Sequence, residues 1–104
     1  MAGAFFENFV INQINIKYQL LIDAPGLYYY RDRDGKEIDL ILEAYDGITP
    51  LEIKLSANPS ESDIKQFVVL QELGKAIKSG GIICCIDKPL PINSIHSMIP
   101  VEVV

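Results

Sequence analysis

The first predicted element is a helix, because apolar residues recur at helical spacing near the N-terminus. Five apolar residues share one stripe: Phe5, Phe6, Phe9, Val10 and Ile14. The pattern predicts a helix over residues 3–21, which ends where the sequence DAPG interrupts the periodicity.

Three strands are predicted in the sequence LYYYRDRDGKEIDLILEAYDGITPLEIKL, where apolar runs alternate with turn residues. Asp34-Gly35 and Asp46-Gly47 separate these runs. An Asp-Gly pair between apolar runs favours a tight hairpin turn, because both central positions of a type I′ turn need positive φ. The segment is therefore expected to form two consecutive hairpins.

The second half of the chain predicts a helix and then a buried strand. Ser60 followed by Asp63 resembles a capping box at a helix start, and Gly80-Gly81 is expected to end the helix. Its apolar face would comprise Ile64, Phe67, Val68, Leu70, Leu73 and Ile77. The continuously apolar GIICCID that follows is typical of a strand in parallel pairing, and the proline-rich tail would end in an edge strand. The order α-β-β-β-α-β predicts one α/β domain over residues 1–104, with a central mixed four-stranded sheet flanked by helices.

The predicted register of the second hairpin brings charged residues onto one face. If Asp46-Gly47 is a two-residue loop, Asp39 lies opposite Lys54 and Ile41 lies opposite Glu52. One face would then carry Ile38, Leu40, Leu42, Leu51, Ile53 and Leu55, and the other Glu37, Asp39, Glu43, Glu52 and Lys54. Direct and diagonal cross-strand neighbours lie about 5–8 Å apart. Asp39, Glu52 and Lys54 are thus expected to be near neighbours.

This charged group has a structural and a functional interpretation. An amphipathic hairpin has a wet face, and an Asp opposite a Lys is an ordinary cross-strand ion pair. However, Glu52 and Lys54 interrupt an otherwise apolar strand that should be central in the sheet, where a helix would half bury them. Two carboxylates suit Mg²⁺, which takes a few carboxylates, several waters and a phosphate, and a nearby lysine can orient a water molecule.

Composition and charge limit the function. The chain is 49% apolar and 22% charged, which is typical of a folded domain. Its net charge of −5, with only nine Lys and Arg residues, predicts weak affinity of the isolated domain for DNA. No apolar run approaches the roughly 18 residues of a membrane span, and no signal peptide is visible, so a cytoplasmic location without membrane contact is expected. Cys84 and Cys85 are expected to be reduced core residues.

Other residues have a functional and a simpler interpretation. Tyr28, Tyr29 and Tyr30 could stack on bases, but aromatic residues are also good strand formers, and the second interpretation is favoured. Glu7, on the flank of the first helix, is either a ligand or a surface residue near a helix N-terminus.

Asp39, twelve intervening residues and then Glu52-Ile53-Lys54 resemble the D…(D/E)xK signature of the PD-(D/E)XK nuclease superfamily. The element order is similar to that superfamily's core. The segments GAFFENFV, LYYYRDRDGKEIDLIL, PLEIKLS and DIK more closely resemble the uncharacterised C-terminal domain of prokaryotic AAA-type ATPases. That resemblance covers nearly the whole chain, and the chain contains no GxxxxGK[ST] phosphate loop. The chain is therefore expected to be one domain of a longer ATPase protein.

The resemblance implies a Mg²⁺- or Mn²⁺-dependent DNA endonuclease. Asp39 and Glu52 would hold the metal, with Glu7 as an additional ligand, and Lys54 would assist the attacking water. The alternative is a catalytically silent module of the ATPase that serves interaction, oligomerisation or regulation. The sequence leaves open whether the chain forms a homo-oligomer.

Overall fold

Six strands form one mixed sheet that has a helix on each face, which confirms the predicted α/β class. The computed structural model describes residues 2–104. Helix α1 spans Ala2–Tyr18, and a second helix, Glu61–Leu73, is wound as a 3₁₀ helix. The strands are β1 Gly26–Arg31, β2 Glu37–Ala44, β3 Gly47–Ile53, β4 Gly81–Cys84, β5 Leu90–Pro91 and β6 Ser97–Pro100. A short 3₁₀ turn, Val101–Val103, follows β6.

The sheet contains the four predicted strands and two more from the tail. Its order is β1-β2-β3-β4-β6-β5; β1, β2 and β3 are antiparallel neighbours, whereas β4 is parallel to both β3 and β6. The predicted count of four strands was therefore too low. Strand β6 also lies inside the sheet rather than at its edge, because β5 pairs with its outer side. Both tail strands are short and contain proline, so their pattern is a weak signal.

Two apolar clusters hold the layers together. The cluster between the sheet and α1 contains Val10, Ile14, Leu40, Leu51, Ile53 and Ile83. The cluster between the sheet and the second helix contains Ile38, Ile41, Ile48, Ile64, Phe67, Val69, Leu70, Ile82 and Cys84. The central strand β4 is buried along its whole length, as its continuously apolar sequence predicted.

The second helix packs through residues three apart. Ile64, Phe67 and Leu70 are buried, whereas Val68 is exposed. A 3₁₀ helix has three residues per turn, so side chains at i and i+3 lie above one another. The predicted apolar face is therefore confirmed at Ile64, Phe67 and Leu70 but was wrong at Val68 and Leu73, which are exposed.

The second helix ends earlier than the sequence pattern predicted. Gly74 caps it in the left-handed conformation, with φ 69°, whereas Gly80-Gly81 was expected to end it. Beyond Gly74 the chain turns toward the sheet, where Ile77 forms a parallel bridge with Ile48. The helix-like spacing of Ile77 therefore reflects burial against β3 and not a continued helix.

Helix α1 buries a narrower stripe than the sequence suggested. Val10 and Ile14 are buried, but Phe5 is 70% and Phe9 is 55% exposed. Both phenylalanines therefore lie away from the sheet, contrary to the prediction that they widen the packed stripe. Within residues 2–104, no helix combines the length and apolar character that crossing a bilayer requires.

Both predicted hairpins are present, but the second has a different loop. Ala44 pairs with Gly47, so the loop is Tyr45-Asp46 and not Asp46-Gly47. Gly47, with φ 149°, instead allows a close approach of the chain after the second helix: the amide of Ile48 donates to the carbonyl of Ala76 at 2.8 Å. A Cβ on Gly47 would lie 2.5 Å from that oxygen. The register therefore differs by two residues from the predicted one.

Candidate functional site

Asp39 and Glu52 meet where strands β2 and β3 stop pairing regularly. The last paired residues are Leu40 and Leu51, and continuing their register places Asp39 opposite Glu52. There the amide of Asp39 donates to Oε1 of Glu52 at 3.3 Å, and the amide of Ile53 donates to Oδ2 of Asp39 at 2.9 Å. The register predicted from the sequence, which placed Asp39 opposite Lys54, was wrong. Asp39 and Glu52 nevertheless come together, as predicted, because each carboxylate accepts a hydrogen bond from a backbone amide of the other strand.

A β-bulge in β2 determines the position of Asp39. Tyr28 pairs with Ile41 and Tyr30 pairs with Ile38, so Tyr29 faces two residues of β2, Asp39 and Leu40. The bulge breaks the side-chain alternation of the strand. Ile38 consequently packs with the second helix and Leu40 with α1. The predicted face that joined Ile38 to Leu40 was wrong, because the pattern assumed an unbroken strand.

Glu52 is a half-buried acid whose pKa is strongly raised. It pairs across the parallel strands with Ile82, which belongs to the cluster under the second helix. Burial raises the pKa of Glu52 from 4.5 to about 8, and the charge of Asp39 and, more weakly, that of Glu7 add to the increase. The raised pKa favours the protonated form of Glu52 at neutral pH.

Lys54 is held by an acidic residue of the second helix. Its Nζ lies 2.5 Å from Oδ1 of Asp63, while Oδ2 of Asp63 accepts a hydrogen bond from the amide of Ser60 at 2.8 Å. The Lys54 ammonium and this amide lower the pKa of Asp63. The backbone amide of Lys54 continues the pairing with β4, because it donates to the carbonyl of Ile83 at 2.9 Å. Lys54 thus lies two residues after Glu52, just beyond the end of β3, and its ammonium group contacts Asp63.

Glu7 brings a third carboxyl group toward the pair from helix α1. Burial raises its pKa, and the charges of Asp39 and Glu37 raise it further. Within the described part of the chain, no three His, Cys, Asp or Glu side chains come together closely enough to hold an ion. The role of Glu7 as an additional ligand therefore stays a prediction.

The Asp39–Glu52 pair has the chemistry that a hard divalent cation requires. Carboxylate oxygens are the ligands that Mg²⁺ takes from proteins, and one or two of them suffice when waters and a phosphate complete the shell. A cation would also favour the charged form of Glu52, whose pKa is raised by burial and by the charge of Asp39. Asp39 and Glu52 therefore offer the kind of oxygen ligands that such an ion takes, whereas the ammonium group of Lys54 contacts Asp63.

Asp63 is the residue of this region whose role the sequence pattern did not reveal. Ser60 and Asp63 indicated a helix start, and that start is confirmed. The pattern carried no sign that the same carboxylate also binds Lys54, because the two residues belong to different elements. A charged residue at the N3 position of the helix, nine residues after a predicted site lysine, was the available signal.

Comparison with known proteins gave one family. A family model described as "Domain of unknown function (DUF4143)" matches residues 2–104. No curated protein and no solved structure matches the chain.

Proposed function

The chain belongs to the DUF4143 family, and from the geometry of its residues we propose that it is a metal-dependent nuclease domain. The reaction would be hydrolysis of DNA phosphodiester bonds in the cytoplasm, with Mg²⁺ or Mn²⁺. The observation that supports the proposal is the meeting of Asp39 and Glu52 at the β2–β3 junction, with the pKa of Glu52 raised to about 8. This pair, followed by Lys54, also supports membership of the PD-(D/E)XK superfamily.

Each residue has a separate task in this proposal. Asp39 and Glu52 would hold the cation, and Glu7 would add negative charge from α1. When bound, the cation would polarise a phosphoryl oxygen and lower the pKa of water. Lys54 would orient the attacking water or stabilise charge that develops at phosphorus, after releasing Asp63 or while remaining beside it.

The acidic balance of the chain leads us to propose that most of the DNA affinity comes from another part of the protein. With a net charge of −5, the isolated domain cannot neutralise many phosphates. We propose that the domain is appended to an AAA-type ATPase, which would bring DNA to the site.

A plasmid-nicking assay tests the chemistry. The longer protein is incubated with supercoiled DNA and Mg²⁺ or Mn²⁺, and its nicking rate is compared with that of Lys54→Ala and Asp39→Asn. Loss of a transition-state contact typically costs about 10²–10³-fold in rate. Lys78→Ala, which removes another exposed lysine with a carboxylate partner, is the matched control. Equal rates in all four proteins would reject the catalytic assignment.

A catalytically silent interaction module is the second candidate, and one observation favours it. Helix α1 and the turn after it expose a group of large apolar side chains: Phe5, Phe9, Ile16, Leu20, Leu21 and Ile22. Exposed apolar patches beyond a few hundred Å² usually mark interaction sites. Light scattering of the wild-type chain and of a Phe5→Ser/Phe9→Ser variant would detect self-association through this face. Association without nicking would support the module.

A further inference from the structure

His96 is a buried polar residue whose two ring nitrogens have different surroundings. The residue is only 6% exposed, and its Nδ1 accepts a hydrogen bond from the amide of Gly80 at 3.0 Å. A ring nitrogen that accepts carries no proton, so the neutral ring carries its proton on Nε2. Burial lowers the pKa of His96, which favours this neutral form at neutral pH.

The Nε2–H group of His96 opens onto a surface groove. Within residues 2–104 the hydrogen bond through Nδ1 is the one that the ring makes. No side-chain nitrogen or oxygen of these residues is both fully buried and unpaired, so Nε2 reaches the surface. His96 lines a groove of about 610 Å³ between the second helix and the loop that precedes β6. This groove, called the His96 groove below, therefore presents a hydrogen-bond donor to a ligand.

Apolar side chains surround this donor. Ile64 and Phe67 are buried residues of the groove lining, and the rings of Phe67 and His96 lie 5.2 Å apart at an angle of 77°. Val68 and Ile95 also line the groove but are 57% and 53% exposed. A ligand in the groove would therefore cover exposed apolar surface while it offers an acceptor to His96.

The charged residues of the groove balance one another. Glu61 and Lys65 are the lining residues that carry a charge when His96 is neutral. Oε2 of Glu61 accepts a hydrogen bond from Nδ2 of Asn93 at 3.1 Å, which ties the start of the second helix to the loop opposite. One negative and one positive charge give no advantage to a strongly charged ligand. A neutral ligand with an acceptor oxygen and apolar groups fits this lining.

The groove is long because it follows the second helix. Its lining includes a row of residues spaced by three, which lie above one another on a 3₁₀ helix: Ser62, Lys65, Val68 and Gln71. At about 2 Å of rise per residue, the row is about 18 Å long. An extended chain of about five residues has a similar length, at about 3.3 Å per residue. An extended peptide therefore matches the groove better than a compact molecule does.

We propose that the His96 groove binds a neutral, apolar, extended segment of a partner protein, with a backbone carbonyl of that segment accepting the hydrogen bond from Nε2 of His96. Apolar side chains of the segment would pack against Val68 and Ile95. None of the four residues assigned to the nuclease site lines the groove, so this binding function is separate from the proposed catalysis and does not depend on it.

NMR titration with a synthetic pentapeptide tests the proposal. The probe is acetyl-Thr-Leu-Thr-Leu-Thr-amide, a neutral chain whose two leucines face the same side when it is extended. The control probe, acetyl-Thr-Ser-Thr-Ser-Thr-amide, keeps every backbone carbonyl but lacks the apolar groups. His96 is the sole histidine of the chain, so its ring signals are unambiguous. The leucine probe should shift the ¹⁵N signal of Nε2, and the serine probe should leave it in place.

Two exposed valines provide matched variants. Val68→Ser should weaken binding of the leucine probe about fivefold, because the apolar contact is lost. Val103→Ser is the control, because Val103 is 60% exposed and lies outside the groove, and it should bind as the wild type does. Since both side chains are largely exposed, both variants should fold.

Four outcomes would overturn the proposal. They are absence of binding by the leucine probe, equal binding of the two probes, equal affinities of Val68→Ser and Val103→Ser, and binding that leaves the Nε2 signal of His96 unshifted. Nicking activity of the longer protein affects none of these measurements, so the groove and the nuclease site are tested independently.

Discussion

Asp39 and Glu52 each bind the backbone of the other's strand: Glu52 Oε1 accepts from the Asp39 amide at 3.3 Å, and Asp39 Oδ2 accepts from the Ile53 amide at 2.9 Å. Where β2 and β3 separate, these side-chain hydrogen bonds take the place of the regular backbone hydrogen bonds between the strands. Because these carboxylates satisfy backbone donors, the fold itself holds them together, at the cost of concentrating negative charge in a half-buried position.

The raised pKa of Glu52 predicts that stability falls as the pH rises. Its pKa is 4.5 ordinarily and about 8 in the folded chain, so between these values the folded state keeps a proton that the unfolded state has lost. The contribution of this group is most favourable below pH 4.5 and declines until about pH 8. The total decline is on the order of a few kcal/mol.

Glu52→Gln should remove this decline, because the amide does not titrate. The measurement is the free energy of unfolding in urea across the same pH interval, for the wild type and the variant. Glu72→Gln, at an exposed position of the second helix, is the matched control and should retain the wild-type slope. A slope unchanged by Glu52→Gln would show that another group causes it. Asp63, whose pKa is lowered, loses its contribution only below this interval.

Mg²⁺ should stabilise the folded chain through Asp39 and Glu52. A ligand that binds only the folded state at about a hundred times its Kd adds about 2.7 kcal/mol to stability. The increase in melting temperature should be larger at pH 8 than at pH 6, since the cation competes with the proton on Glu52. Differential scanning calorimetry with and without Mg²⁺ measures it.

Substitutions at Asp39, Glu52 and Glu7 would distinguish carboxylates that bind Mg²⁺ directly from one that acts only through its charge. Asp39→Asn and Glu52→Gln should each abolish the Mg²⁺-dependent increase in melting temperature, and Glu72→Gln should preserve it. Glu7→Gln should reduce it by a smaller amount, because Glu7 acts on the pair through its charge. A complete loss in Glu7→Gln would instead make Glu7 a third ligand, as the sequence resemblance implied.

The sequence predicted the order of the first six elements because that order depends on local patterns. The helical stripe of α1, the hairpins and the apolar β4 are each readable within one segment. Asp39 and Glu52 were correctly predicted to be near neighbours, although the predicted register was wrong by two residues and the bulge at Asp39 breaks the alternation that the prediction assumed.

Features that depend on contacts between residues far apart in the chain could not be predicted from the sequence. Gly47 was predicted to be a turn residue. Its conformation instead lets the backbone of Ala76, which follows the second helix, pack closely against β3. The bulge beside Tyr29 depends on how β1 pairs with β2. The link between Lys54 and Asp63 likewise joins two elements whose packing no local pattern encodes.

Gly47→Ala should destabilise the fold strongly. The new Cβ would lie 2.5 Å from the Ala76 carbonyl oxygen, at a φ of 149° that L-residues rarely adopt. Backbone strain of this kind costs about 1–3 kcal/mol, and displacement of the Ala76 segment adds to it. Urea unfolding measures the loss. Gly3→Ala in α1, where nothing lies within 4 Å of the new Cβ, is the opposite control and should stabilise by about 0.5–1 kcal/mol.

Asp63 should matter more for stability than its ion-pair partner Lys54. Asp63→Ala removes the acceptor for the Ser60 amide at the helix start and the ion pair together, a loss of about 1–2 kcal/mol. Lys54→Met removes only a half-exposed charge and should cost less than about 1 kcal/mol. Urea unfolding of both variants, with Lys78→Met as the control for an exposed ion pair, measures the difference. If Lys54→Met were as destabilising as Asp63→Ala, Lys54 would be a structural residue, and its availability for catalysis would lose support.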